Sequence, residues 1–218
     1  MLMSTAPFFN RHAYFVREHI GFLKLKDSFD ILDAETREHL GYATEENPTW
    51  VNWTRLLLQK HRMPTTVVVR RLADDAPVLR LERGWRFLRS KIRVYDGQDT
   101  LLGYFESKIL TLGGGFHVYN ARGIRVADIT GNWIGWDFRF LDAGGQALGL
   151  VTKKWAGIGR ELFTTADNYL ISLTDRGTAQ PATAALLLAA GLAIDALYKE
   201  TRSQATGTTN ADFSYTPG

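Results

Sequence analysis

The sequence contains no cysteine. That excludes disulfides, thiolate zinc sites, cysteine nucleophiles and lipid attachment through a thiol. Charge of one sign is also scarce, since 26 Lys and Arg stand against 23 Asp and Glu for a net +3. So small an excess argues against nucleic acid as the partner, and an anionic partner would have to be met by a local surplus. No run reaches the ~20 predominantly apolar residues that usually cross a hydrocarbon core. The start of the chain, Met1 to Pro7, lacks a basic stretch followed by an apolar run and a small-residue cleavage site. A secretion signal is therefore not expected, and a cytoplasmic location is. On that reading the glycosylation match at Asn52-Trp-Thr54 is accidental.

What is present is organised around one stretch. Ala182 to Leu197 is apolar on every side, rich in Ala and interrupted by Gly191. As a helix it would be ~24 Å long, short for a membrane span, so burial inside protein is expected. A slim rod suits a tube lined by larger side chains from strands. With 45% hydrophobic residues in 218, the chain fills one core more comfortably than two. The expected organisation is an arm over 1–13, one domain over 14–200 with its core helix at 182–198, and a flexible polar tail over 201–218.

Upstream, one outline recurs. Strand-like Phe29-Asp-Ile-Leu-Asp33 returns as Leu40-Gly-Tyr-Ala-Thr-Glu45, and Ile92-Arg-Val-Tyr-Asp96 as Leu101-Leu-Gly-Tyr-Phe105. Val118-Tyr-Asn120 pairs with Ile124 to Ile129, and Phe138 to Asp142 with Ala147-Leu-Gly-Leu-Val-Thr152. A looser copy joins Val67 to Leu72 with Val78 to Leu81. Apolar and polar positions alternate as half-buried strands require. Asp or Asn closing the first strand can accept turn amides, and glycine supplies the positive φ of tight hairpins. Gly41, Gly103 and Gly149, just inside the returning strands, suit a bulge that helps a sheet curl. Ten or more such strands predict an antiparallel barrel or two packed sheets. Residues 47–61, with Pro48 at the first helical position and Trp50, Trp53 and Leu57 on one side, predict a short surface helix.

Catalytic signatures are missing. The five histidines are scattered, no serine sits in a nucleophile elbow, and Gly113 to Gly115 and Gly157-Ile-Gly159 lack the residues of a phosphate cradle. Asp74 and Asp75 suit a turn. The chain is expected not to be an enzyme. The strongest surface signal is basic: Arg70, Arg71, Arg80, Arg83, Arg86, Arg89, Lys91 and Arg93, aided by Arg55 and Lys60 at the end of the surface helix. In a strand Arg89, Lys91 and Arg93 share one face at ~7 Å spacing, which matches phosphates. The plainer reading sets those cations against Glu82, Asp96 or Glu106 as a solvated face. Trp133, Trp136 and Trp155 read more readily as core or barrel rim than as a membrane belt. Asp195 is costly in an apolar helix unless it lies at the barrel's rim near a base.

Three stretches resemble the phospholipid scramblase family, within the tubby-like C-terminal and LURP-one-related group: Phe15-Val-Arg-Glu-His-Ile-Gly21 with Phe29 to Asp33, Trp155 to Tyr169, and Leu192 to Leu197. The resemblance implies a mainly β fold, a closed antiparallel barrel of about twelve strands around a hydrophobic C-terminal helix. It also implies phospholipid or phosphoinositide headgroups as partners at the inner face of the plasma membrane, and calcium-dependent lipid movement between leaflets. Asp167, Asn168 and Asp175 match the family's proposed calcium segment, but Thr165 stands where Asp is usual, leaving few oxygens for an ion that takes six to eight. The proline-rich extension and cysteine cluster of eukaryotic members are missing. The expectation is thus a tubby-like module that binds anionic phospholipid and needs no cofactor, with scrambling as a further activity. A regulatory or scaffold domain that binds protein is the first alternative, and nucleic-acid binding the second.

Overall fold

In a computed structural model, the structure describes residues 6–18, 28–46, 65–84, 91–107, 115–132, 136–153 and 168–208, with side chains of the last helix described to Ile194. The expected surface helix over 47–61 lies outside the described residues. Twelve strands follow a short helix α1 (Ala6–Phe9): β1 (Ala13–Glu18), β2 (Ser28–Asp33), β3 (His39–Glu45), β4 (Thr65–Arg71), β5 (Pro77–Arg83), β6 (Lys91–Asp96), β7 (Leu101–Ser107), β8 (Gly115–Asn120), β9 (Arg125–Asn132), β10 (Asp137–Leu141), β11 (Ala147–Thr152) and β12 (Tyr169–Leu173). Two helices close the described chain, α2 (Asp175–Thr178) and α3 (Pro181–Thr208). Every strand pairs antiparallel with its neighbours in sequence, and β12 returns to β1, so the barrel is closed with no free edge.

The hairpin turns explain the register. At Asp33, Asp96, Asn120 and Asp142 one side-chain oxygen accepts two backbone amides of its own turn, for example those of Gln98 and Thr100 at 2.9 Å each. In the looser hairpin Arg71 ends the strand, and Asp74 instead accepts from Ala76 N and pairs with Arg71. Each of the five turns contains one residue at positive φ, but glycine fills that place only at Gly123 and Gly145. Arg37, Asp75 and Asp99 hold it elsewhere; Asp tolerates this region better than most side chains, and nothing in the structure explains Arg37. The register shifts by one residue in all five hairpins. Gly41, Gly103 and Gly149 follow three of those bulges for a reason of space. A Cβ there would stand 2.1–2.3 Å from the carbonyl oxygen of Arg70, Tyr119 or Ser172 on the next strand.

The barrel encloses α3. Ala184, Ala185, Leu187, Leu188, Ala189 and Ile194 have no exposed surface, and inward residues such as Val69, Leu79, Val94, Val118, Phe138, Phe140 and Ile171 surround them. The helix runs past the apolar stretch to Thr208. Among the described residues no helix is long and apolar enough to cross a membrane. Phe8 and Phe9 of α1 are buried at the barrel end where α3 enters, and Phe8 O accepts the Tyr14 hydroxyl at 3.0 Å.

Candidate functional site

An up-and-down barrel sorts its connections between two ends. Five tight hairpins, over 34–38, 72–76, 97–100, 121–124 and 142–146, share one end with α1, α2 and the start of α3. At the other end the strands finish at Glu18, Glu45, Arg83, Ser107, Asn132 and Thr152 and resume at Ser28, Thr65, Lys91, Gly115, Asp137 and Tyr169. The connectors between them include 19–27, 47–64, 85–90, 108–114, 133–135 and 154–167, which lie outside the described residues. Their covalent attachment is nevertheless fixed: all six leave from and return to that one end.

Sequence and topology together therefore show a polarity. These six stretches carry ten Lys and Arg against three Asp and Glu, with Lys153 and Glu46 beside them in the same connectors, whereas the chain outside the six stretches has 16 against 20. Five of the six tryptophans are in them, and the sixth, Trp136, immediately precedes β10 at the same end. By contrast the five tight turns with the segment 174–180 have seven acids, among them Glu35, Asp74, Asp99 and Asp175, against three arginines. Trp136 is buried. It packs on Tyr169 at 5.1 Å between ring centroids and edge-on to Phe138, with Lys153 over its face at 4.2 Å. It serves as barrel rim, and Trp133 and Trp155 lie outside the described residues.

The structure brings some of the ten sequence-selected cations together and separates others. Arg80, Lys91 and Arg93 share the outer face of β5 and β6, where alternation turns Leu79, Leu81, Ile92 and Val94 inward. Arg80 pairs with Glu82 and Asp99 and lies 4.4 Å from the Tyr95 ring. Lys91 sits 3.4 Å from Glu106 and 3.6 Å above the Tyr104 ring, which stacks on Tyr119 at 4.9 Å. Arg93 is exposed and has no ion-pair partner among the described residues. Arg83 falls on the other parity: it is buried on the inner side at the connector end, donating to Thr65 Oγ1 at 3.0 Å. Arg70 and Arg71 end β4 at the opposite end of the barrel, paired with Glu46 and Asp74. The Asp74 hydrogen bond raises the Arg71 guanidinium pKa and lowers that of the Asp74 carboxyl. Arg55, Lys60, Arg86 and Arg89 are in connectors outside the described residues.

Of the calcium candidates, Asp167 also lies outside the described residues. Asn168 is buried just before β12 and Asp175 is fully exposed just after it. The five residues of β12 set them ~17 Å apart, too far to share an ion. Among the described residues no three His, Asp or Glu side chains gather as a metal site.

The residues that sequence reasoning missed are Tyr95, Tyr104 and Tyr119, which put aromatic rings beside Lys91 and Arg80. Counting tryptophans by barrel end would have exposed the polarity, since strand order alone assigns the ends.

A model of the family described as Scramblase matches residues 19–201, from the first connector through the enclosed helix. The chain belongs to the Scramblase family. Neither the curated proteins nor the solved structures include a match. Membership gives this Scramblase-family barrel a lipid-related role at the level of the family, and the architecture is not a known enzyme fold.

Proposed function

We propose that this chain is a peripheral module that binds anionic phospholipid headgroups, with the connector end of the barrel turned to the bilayer. The observation that carries the reading is that the connectors attached to one end, with the rim residue Trp136, contain every tryptophan and ten of the 26 basic residues. Tryptophan favours the interfacial region, where an apolar ring and a polar N–H are both satisfied. Each cation near an anionic leaflet contributes ~1 kcal/mol, and the acidic end is repelled by the same field. Arg86, Arg89, Lys91, Arg55 and Lys60 belong to this end or its connectors, with Arg93 at its margin. Arg80 is already held by two carboxylates, and Arg70 and Arg71, which end β4 at the turn end, are held by Glu46 and Asp74. Translocation of lipid between leaflets is a separate activity that a helix enclosed by its own strands does not explain.

Flotation of the full chain with vesicles tests the reading. Vesicles containing phosphatidylserine should carry the protein and neutral vesicles should not, with binding weakened by salt. Replacing Arg86 and Arg89 together by Ala should weaken binding about thirtyfold, from ~2 kcal/mol lost. The Arg70→Ala, Arg71→Ala pair should leave it unchanged. Equal recovery on both vesicle types, or equal loss from both pairs, would refute the reading and favour a protein-binding scaffold.

A further inference from the structure

At the turn end of the barrel, α1 covers the mouth beside β1 and β3, where Phe8 lies against Gly41 and its carbonyl accepts the Tyr14 hydroxyl. Beside β9 to β11 the mouth is instead a cleft of about 450 Å3, within the ~300–1,000 Å3 of small-ligand sites. Val126 and Leu148 give it an apolar part, Ala179 and Thr183 come from the helical side, and Asp142 and Arg176 are the charged residues of the lining. The strand and helix sides are held to each other. Thr174 N donates to Leu148 O at 3.0 Å, the Thr174 hydroxyl accepts from Gly177 N, and Gly177 is buried where a Cβ would stand 2.2 Å from Leu148 O. So placed, α2 brings Arg176 Nη1 to 3.6 Å from Asp142 Oδ2, too far for a hydrogen bond. Asp142 Oδ1 is committed to the amides of Gly144 and Gln146 at 2.8 and 2.9 Å. Oδ2 and the guanidinium therefore keep their hydrogen-bonding capacity among the described residues.

We infer that this cleft binds an α-amino acid with an apolar side chain, its carboxylate on Arg176, its ammonium on Asp142 Oδ2 and its hydrocarbon on Val126 and Leu148. Opposite charges set close together on the protein match a ligand that carries both charges on one carbon. A guanidinium takes a carboxylate in two parallel hydrogen bonds, and the ligand makes them without breaking a hydrogen bond between the protein groups. A free anion fits less well, because the turns and 174–180 at this end carry seven acids against three arginines. A zwitterionic lipid headgroup shares the two charges but has no hydrocarbon beside them for the apolar part of the cleft. The site lies at the end opposite the connectors and does not depend on bilayer docking.

Calorimetric titration of the full chain, without vesicles, tests this with leucine, with isocaproate, which lacks the ammonium, with isopentylamine, which lacks the carboxylate, with alanine and with glycerophosphoethanolamine. Leucine should bind saturably and about tenfold tighter than isocaproate or isopentylamine, since each lacks one charged hydrogen-bonding group. It should also exceed alanine about tenfold, for three more carbons half covered. The variants separate the two charges. Arg176→Ala should erase the preference for leucine over isopentylamine and keep the preference over isocaproate. Asp142→Asn, which keeps an oxygen for the turn amides, should do the reverse. Arg176 is an exposed side chain, so its variant decides the matter if Asp142→Asn fails to fold. Absence of saturable leucine binding, equal affinity for leucine and either analogue, or an Arg176→Ala chain that weakens all ligands alike would overturn the proposal. Tighter binding of glycerophosphoethanolamine than of leucine would overturn it in favour of a lipid headgroup.

Discussion

Gly191 is the point where the enclosure of α3 can be tested most sharply by stability. In an exposed helix, Gly→Ala stabilises by about 1 kcal/mol, because alanine loses less backbone freedom on folding. Here an added Cβ would stand 2.4 Å from Ile171 Cδ1 and 2.7 Å from Ile171 Cγ1, with Val151 Cγ2 at 3.5 Å. Ile171 and Val151 have no exposed surface, so neither side chain has an empty direction in which to move. Overpacking of this kind costs about 1–3 kcal/mol. Set against the propensity gain, Gly191→Ala should destabilise by about 1 kcal/mol and Gly191→Val by about 3 kcal/mol. Ile171→Val alone should cost about 1 kcal/mol. In the Gly191→Ala background it removes the nearer of the two clashing atoms and should cost nothing, a coupling of about 1 kcal/mol. Urea denaturation gives all four free energies, provided the slopes agree. If Gly191→Ala stabilises the protein and the Ile171→Val cost is the same in both backgrounds, the helix is not sheathed by β11 and β12 at this level.

Asp33 provides a pH test. Burial alone would raise its pKa, but amide hydrogen bonds from Thr36 and Glu35 and the Arg11 guanidinium at 3.0 Å outweigh that and hold it below the usual value. Its contribution is present above the ordinary carboxylate range near pH ~4 and is lost as pH falls through the depressed folded value. Asp33→Asn keeps an oxygen for the turn amides and should lose about 1 kcal/mol at neutral pH, a deficit that should shrink in acid-unfolding curves as pH falls through the depressed folded value. Tyr14→Phe strips Phe8 O of its donor inside the closed end and should cost about 1–2 kcal/mol in the same assay. Burial pushes the Tyr14 hydroxyl well above the usual tyrosine value, so in an alkaline absorbance titration at least one tyrosine should stay protonated after the exposed ones have ionised, and Tyr14→Phe should remove that late step.

The barrel was legible because two signals in the sequence agree. A rod apolar on all sides requires a sheath, and repeated strand pairs closed by Asp or Asn can provide one; Asp33, Asp96, Asn120 and Asp142 each accept the amides that this pattern calls for. The positive-φ positions were less legible, since Asp75, Asp99 and Arg37 occupy places where glycine was expected. The basic strip was legible as composition but not as a surface. Between Arg80 and Arg83 the strand parity changes, so one cation lies outside against Glu82 and the other inside beside Leu192. Arg70 and Arg83 are close in chain order yet belong to opposite ends, because β4 and β5 run antiparallel through the whole barrel. Partner acids such as Asp99 and Glu106 come from a neighbouring turn or strand, and only the register reveals which cations they neutralise.

The central claim is that the tryptophan-rich, basic end of a closed barrel meets an acidic bilayer. Its most direct test is tryptophan fluorescence on vesicles containing phosphatidylserine whose acyl chains are brominated near the glycerol backbone. Because five tryptophans lie in connectors attached to one end and Trp136 lies at its rim, the account predicts strong quenching that depends on the acidic lipid and is reversed by salt. Binding without quenching would contradict it by placing another face of the barrel against the membrane.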